Sequence, residues 1–371
     1  MNPGPASILW FKTDLRIEDN PALAAAAEHG AAIPVYICDE EAAWPPGAAS
    51  RWWLHQSLLS LDAELRRRGS RLVLRKGRSR EVLARLVHET RAQRVFCGRR
   101  CEADLSDTNI GVPVESFISG LLKDPFKTLN RQGNPYQVFT PYWKSQFGGF
   151  EPPPPVRAPE RIPAPKTWPQ SLRIEKLNLE PKMDWASGIR ASWTPGEKGA
   201  KTALDLFLQD ALAGYAVERD YPSKLGTSHF SPYLHCGEIS PYFVWIKVRE
   251  FAAVQAVQGI VRAEEAFLRQ LAWREFAHHM MAHFPYTPDA PLRSDFDQFP
   301  WREDSVALEA WQNGRTGYPI VDAGMRELWT TGWMHNRIRM IAASFLVKHL
   351  LIPWQHGARW FFDTLVDADL A

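Results

Sequence analysis

The chain lacks the usual signatures of nucleotide enzymes. Its 371 residues contain no GxGxxG and no GxxxxGK[ST], so an ordinary dinucleotide site or P-loop is not supported. Cysteine is scarce: Cys38, Cys97, Cys101 and Cys236 are the only four. No Cys/His pair completes a zinc pattern, so they read as free thiols in a reducing, cytoplasmic compartment. No uninterrupted apolar run approaches the roughly 18 residues of a membrane span. The start, MNPGPASILWF, has no basic segment followed by a long apolar one, so a soluble, unsecreted chain is expected. Charge of one sign is missing too: 44 basic and 42 acidic residues leave +2, so any nucleic-acid surface must be a local patch. Asp367 and Asp369 have no His or third carboxylate at ligand spacing, so no metal is expected. A monomer is expected.

Present in excess are 16 Trp and 29 Pro, in a chain long enough for two domains. The first third alternates short apolar strands with helices. Strands are expected at Ser7–Phe11, Ala32–Cys38, Arg71–Leu74 and Arg94–Gly98, with a last one at Pro113–Phe117. Helices are expected after Asn20-Pro21, over 50–69 and over Ser79–Thr90. That alternation implies a doubly wound, Rossmann-like parallel sheet, trimmed at the edge after Glu102. Eight Pro between 152 and 169 exclude helix or central strand and suit a semi-rigid connector. The expected domains are 1–123 (α/β), 124–192 (Pro-rich linker) and 193–371 (all-α).

In the helical part, Thr194-Pro195 with Glu197 reads as a capped helix start, as does Ser231-Pro232. Thr227, Ser228 and Ser231 put three hydroxyls near the second start, a pattern suited to an anion such as phosphate. Over 332–350 a single helix is expected, with Ile338, Ile341, Ala342, Phe345 and Leu346 buried, and Asn336, Arg339 and Met340 on another face. The acidic pair Asp367 and Asp369 is expected to supply a partner for Arg339. The stretch FLRQLAWREFAHH, residues 267–279, sits in a helix expected over 260–284. Gln270, Trp273, Arg274 and Ala277 share one face, and Leu268, Leu271, Ala272 and Phe276 form an apolar one. The first face could stack on a flat ring and contact an anion.

Long ordered motifs cover almost the whole chain: LWFKTDLRIEDNPAL, VFTPYW, WTPGEKGA, YAVERDYP, GTSHFSPYLHCGEIS, LAWREF, AWQNGRTGYPIVDAGMREL, GWMHNRIRMIAASFLVKHLL and the final DADLA. By these the chain resembles the DNA photolyase and cryptochrome family, most closely bacterial class I cyclobutane-pyrimidine-dimer photolyases. The resemblance implies an α/β antenna domain and an all-helical domain holding FAD. It implies Tyr215, Thr227, Ser228, His229, Phe230 and Ser231 on the adenine-diphosphate side. It places Asn336, Arg339, Asp367, Ala368 and Asp369 by the flavin ring, with Arg274 nearby. Gln270, Trp273, Asn336 and Met340 line the lesion site, and Arg274 and Arg337 help to bind UV-damaged DNA. Trp301 and Trp354 match the outer and middle members of the chain that relays electrons to flavin. The implied reaction is light-driven repair, with electron transfer from excited reduced flavin to a flipped-out dimer.

Three departures qualify this. Gln270 stands where class I enzymes place a Glu, as in (6-4) photolyases and animal cryptochromes, whereas Asn336 and Met340 remain of the dimer-photolyase type. Weakened dimer repair is expected. The family continues beyond Ala371, so a chain ending there would have an open flavin pocket, weak FAD binding and poor photoreduction. The short segment after Glu102 lacks a helix that frames the antenna pocket, so a folate or deazaflavin antenna is doubtful. The competing readings are a cryptochrome-like blue-light photoreceptor, favoured by Gln270, and a remnant without chromophore.

Overall fold

The computed structural model describes residues 4–39, 44–99, 109–255 and 259–371. Five strands form one all-parallel sheet: β1 (Ala6–Phe11), β2 (Ala31–Cys38), β3 (Val73–Lys76), β4 (Arg94–Arg99) and β5 (Val114–Ile118), in the order β3-β2-β1-β4-β5. Three helices alternate with them: α1 (Pro21–His29), α2 (Ala48–Arg67) and α3 (Ser79–Thr90). Side chains alternate across the pleat. Ile8, Val35, Val73 and Val95 pack with Val82 and Leu86 of α3, while Leu9, Phe11 and Phe96 pack with Leu23 and Ala26 of α1. The Asn20 side chain accepts from Leu23 N at 3.0 Å and Pro21 follows it, as the cap-plus-Pro signal implies. The segment on which the doubtful antenna pocket and trimmed edge rest lies largely in 100–108, outside the described residues, as does Cys101.

The connector then forms α4 (Phe139–Phe147), followed by 152–169 without helix or strand. The helical part contains α5 (Ser187–Ser192), α6 (Glu197–Leu206), α7 (Tyr215–Glu218), α8 (Ser231–Cys236), α9 (Pro241–Val254) and α10 (Ile260–His283). It continues with α11 (Ser305–Gln312), α12 (Pro319–Thr331), α13 (Asn336–Ser344) and α14 (Trp354–Thr364). Two helix starts differ from expectation. Gly196, at φ +105°, precedes α6 instead of Thr194, because the Glu197 carboxylate is taken by Ile17 N (2.8 Å) in the other domain and cannot close a capping box. Ser231 is the first helical residue of α8 and makes no capping bond. The helix expected over 332–350 starts only at Asn336 and loosens to a wider turn over Phe345–His349, and Ile341 is exposed.

One apolar core runs from the sheet through α2 and α4 to α10; a second unites α11 to α14 around Trp311, Met325 and Ile338. Two of the tryptophans, Trp53 and Trp193, serve the junction. Trp53 of α2 meets Trp193 (5.5 Å) and Tyr233 (5.1 Å) edge-on. Its Nε1 donates to Glu238 (3.1 Å), which also accepts from Gly196 N (2.6 Å) and touches Ser57 Oγ at 2.5 Å. Arg16, 2% exposed, donates to the carbonyls of Asp19, Ser119 and Gly237, so TDLRIEDN works as a domain clasp. Gly237 sits at φ +67° with its Cα so close to Thr13 that a Cβ would lie 2.0 Å from the Thr13 carbonyl oxygen, which only glycine tolerates.

Candidate functional site

A cleft opens among α7, the 227–231 turn, α8, α10, the start of α13 and the 367–371 segment. One lobe, of about 390 Å³, is lined by Leu234, Phe267, Leu271, Arg274, His278 and Asp369. The adjoining lobe, of about 230 Å³, is lined by Arg219, Thr227, His229, Trp333 and Arg337. Tyr215, Ser228, Phe230, Ser231, Gln270, Asn336, Arg339 and Asp367 line both. The hydroxyls of Thr227, Ser228 and Ser231 therefore share a wall with the guanidinium-bearing residues, as phosphate recognition needs.

Each wall residue has a cause for its placement. His229 adopts a left-handed φ of +53°, and its ring lies over Trp333 at 4.2 Å. Its burial, with the charge of His335, lowers its pKa, so the imidazole is neutral near pH 7. Tyr215 is buried, which pushes its phenol up to about 12, and Arg219 lies over its ring at 5.6 Å. Arg337 is held by Asp220 through Nε (2.9 Å) and Nη2 (2.8 Å), and this hydrogen bonding lowers the Asp220 pKa. Arg339 donates to Met334 O (2.7 Å) and to Asp367 Oδ2 (2.8 Å). The partner expected for Arg339 is thus Asp367 alone. Asp369 lies 2.9 Å from His235 Nδ1 instead. Asp367 Oδ1 is buried without a hydrogen-bond partner among the described residues, an acceptor suited to an N–H of a ring.

Gln270 turns its amide nitrogen back to Ala266 O at 3.3 Å. Arg274 lines the larger lobe while donating to Gly120 O (2.8 Å) and Leu234 O (3.3 Å). Ala368 is buried in the second core. Asn336 and Met340 are exposed neighbours on α13, and Asn336 alone of the two lines the cleft. Trp273 lines neither lobe: it stands next along α10 with its ring on Phe139. Trp301, packed on Phe299, and Trp354, at the start of α14, also lie away from the cleft walls. Sequence reading left Arg219, Asp220, His235, His278 and Trp333 without roles. Their signal lay inside the motifs YAVERDYP, HCGE, WREFAHH and GWMHN. Among the described residues no group of three or more His, Cys, Asp and Glu side chains could hold a metal, and no helix is long and apolar enough to cross a membrane.

Residues 7–160 match the DNA photolyase family model, and residues 267–371 match the model for the FAD binding domain of DNA photolyase. The chain is 46% identical over 375 residues to a deoxyribodipyrimidine photo-lyase of Agrobacterium fabrum, covering 98% of this chain and 77% of that protein. It is 40% identical to Cryptochrome-2 of Arabidopsis thaliana, covering 98% of this chain and 63% of the relative. A crystal structure of a bacterial class III photolyase from Agrobacterium tumefaciens superimposes with a TM-score of 0.92 at 44% identity, over 100% of this chain and 78% of that one. The description of that neighbour carries class III, where the motifs point toward class I. The hydroxyl-and-arginine lobe and the unpartnered Asp367 oxygen fit the diphosphate and ring of FAD. The two-domain architecture, the FAD-binding domain and the long identities agree: this chain belongs to the DNA photolyase/cryptochrome family.

Proposed function

We propose that the protein is a FAD-dependent deoxyribodipyrimidine photo-lyase, a lyase that splits cyclobutane pyrimidine dimers in UV-damaged DNA under blue light. The observation that carries this reading is the cleft itself, which sets phosphate-binding hydroxyls, the Arg339–Asp367 pair and the α10 face of Gln270 and Arg274 in one wall. When bound, reduced FAD supplies the photoexcited electron that opens the dimer and takes it back afterwards. Thr227, Ser228 and Ser231 hold the diphosphate with Tyr215, His229 and Phe230 around it. Arg339, Asp367, Ala368 and Asp369 orient the ring. Asn336 and Gln270 offer amide groups to the bases, Met340 and Trp273 flank them, and Arg274 and Arg337 contact the strand. Trp301 and Trp354 serve reduction of the flavin. A folate or deazaflavin antenna is assigned no residues.

We assign residues 1–123, 124–192 and 193–371 to the α/β domain, linker and FAD- and DNA-binding domain. We also propose a cytoplasmic monomer that uses no metal. A second reading, a cryptochrome-like blue-light photoreceptor, draws on the neutral Gln270. A repair assay separates the two. Protein loaded with FAD, reduced and mixed with a dimer-containing oligonucleotide should restore intact pyrimidines in light and not in darkness. Full flavin loading with no repair in light would support the photoreceptor.

A further inference from the structure

Trp273 is 45% exposed, a large apolar area for a side chain beside a ligand cleft. One of its faces is covered by a second ring. The ring of Phe139, itself 4% exposed, lies flat against it with centroids 3.6 Å apart and planes at 10°. Phe276 closes the edges of both rings, at 5.9 Å and 80° from Trp273 and at 5.8 Å and 73° from Phe139. Phe139 is the first residue of α4, so the connector, not the helical domain, supplies the backing. Its position is set from α10 as well: Tyr136 N donates to His279 Nε2 at 3.0 Å, three residues before Phe139. The indole is therefore clamped on one side. Trp273 itself lines neither lobe, but it shares its helix face with Gln270 and Arg274, both cleft-lining residues.

We infer that Phe139 is a positioning residue for damaged DNA: it fixes the Trp273 indole so that the open face is presented, already oriented, to a base of the flipped lesion. This rests on the photo-lyase reading above. Stacking on an aromatic face tolerates any base, and its strength depends on the ring being held flat and still before contact. A Trp free to rotate would lose that orientation on binding. The linker thereby becomes part of the lesion-recognition wall.

The test measures dissociation constants in the dark, at one salt concentration, for an oligonucleotide carrying a single cyclobutane dimer and for its undamaged twin. FAD content and Tm are followed alongside. Phe139→Leu keeps apolar bulk but removes the flat face, and Phe139→Met serves if Leu costs the fold. Either should weaken dimer binding by about tenfold, the scale of one base–aromatic stack. Undamaged binding, which rests on phosphate contacts, should stay within about twofold. Phe139→Tyr should restore the preference. Unchanged dimer preference in the Leu or Met variant overturns the inference. So does an equal loss for both oligonucleotides in step with Tm, which marks a purely structural contact. A wild-type protein with no preference for the dimer overturns the photo-lyase reading, and this inference with it.

Discussion

Arg339 and Asp367 meet through one 2.8 Å hydrogen bond, and the other Asp367 oxygen is buried in the cleft wall with no partner among the described residues. The pair therefore has two tasks, balancing a buried charge and presenting an acceptor. Arg339→Leu should cost about 3 kcal/mol in urea unfolding, because a buried carboxylate loses its counter-charge. Asp367→Asn should fold but bind FAD about tenfold more weakly in a fluorescence titration, since one oriented acceptor becomes a donor.

Gln270 offers an amide where the class I enzymes place a carboxyl. Gln270→Glu should raise the yield of dimer repair per absorbed photon, with FAD content unchanged. An unchanged yield would mean that the amide already serves the lesion as well as the acid.

Glu238 ties the domains together with no cationic partner among the described residues. Burial pushes its carboxyl from 4.5 up to about 8, so the protonated form prevails at neutral pH. A protonated Oε1 can donate to Ser57 Oγ, freeing the Ser57 hydrogen for the Trp53 carbonyl 3.0 Å away. The folded state then holds a proton that the unfolded state releases. This contribution to stability is full below pH 4.5 and is lost as pH rises through about 8. Tm of the wild type should fall across that window more steeply than Tm of Glu238→Gln, which carries a permanent donor and acceptor.

His279 behaves in the opposite sense. Its Nε2 must accept, since Tyr136 N can only donate, so Nδ1 carries the hydrogen toward Pro125 O at 3.3 Å. Burial, with the charge of His283, lowers its pKa from 6.5 to about 4. Its contribution is full above pH 6.5 and is lost as pH falls through about 4. Wild-type protein should lose more stability over that range than His279→Gln. At neutral pH His279→Phe should cost about 2 kcal/mol by stranding the Tyr136 N–H, while the Pro125 carbonyl keeps His283 Nε2 at 3.1 Å.

The strand and helix alternation of the first third was legible in the sequence because short continuous apolar runs and Gly or Pro boundaries are local signals. The α10 face was legible for the same reason, and so was an Arg339 ion pair with the late acidic residues. Tertiary competition hid the rest. Asp369 is claimed by His235, leaving Asp367 for Arg339. Glu197 is claimed by Ile17, which leaves Gly196 as the residue preceding α6. Trp273 could be placed on its helix face but not against Phe139, because that contact joins segments 134 residues apart, one of them in a stretch read as a connector.

The cleft is proposed to hold the flavin that drives repair. The most direct measurement is the action spectrum of dimer splitting by the reduced, FAD-supplemented protein. It should superimpose on the absorption spectrum of the bound reduced flavin and vanish in darkness. Dimer splitting that ignores wavelength, or none at all with FAD bound at one per chain, would contradict the account.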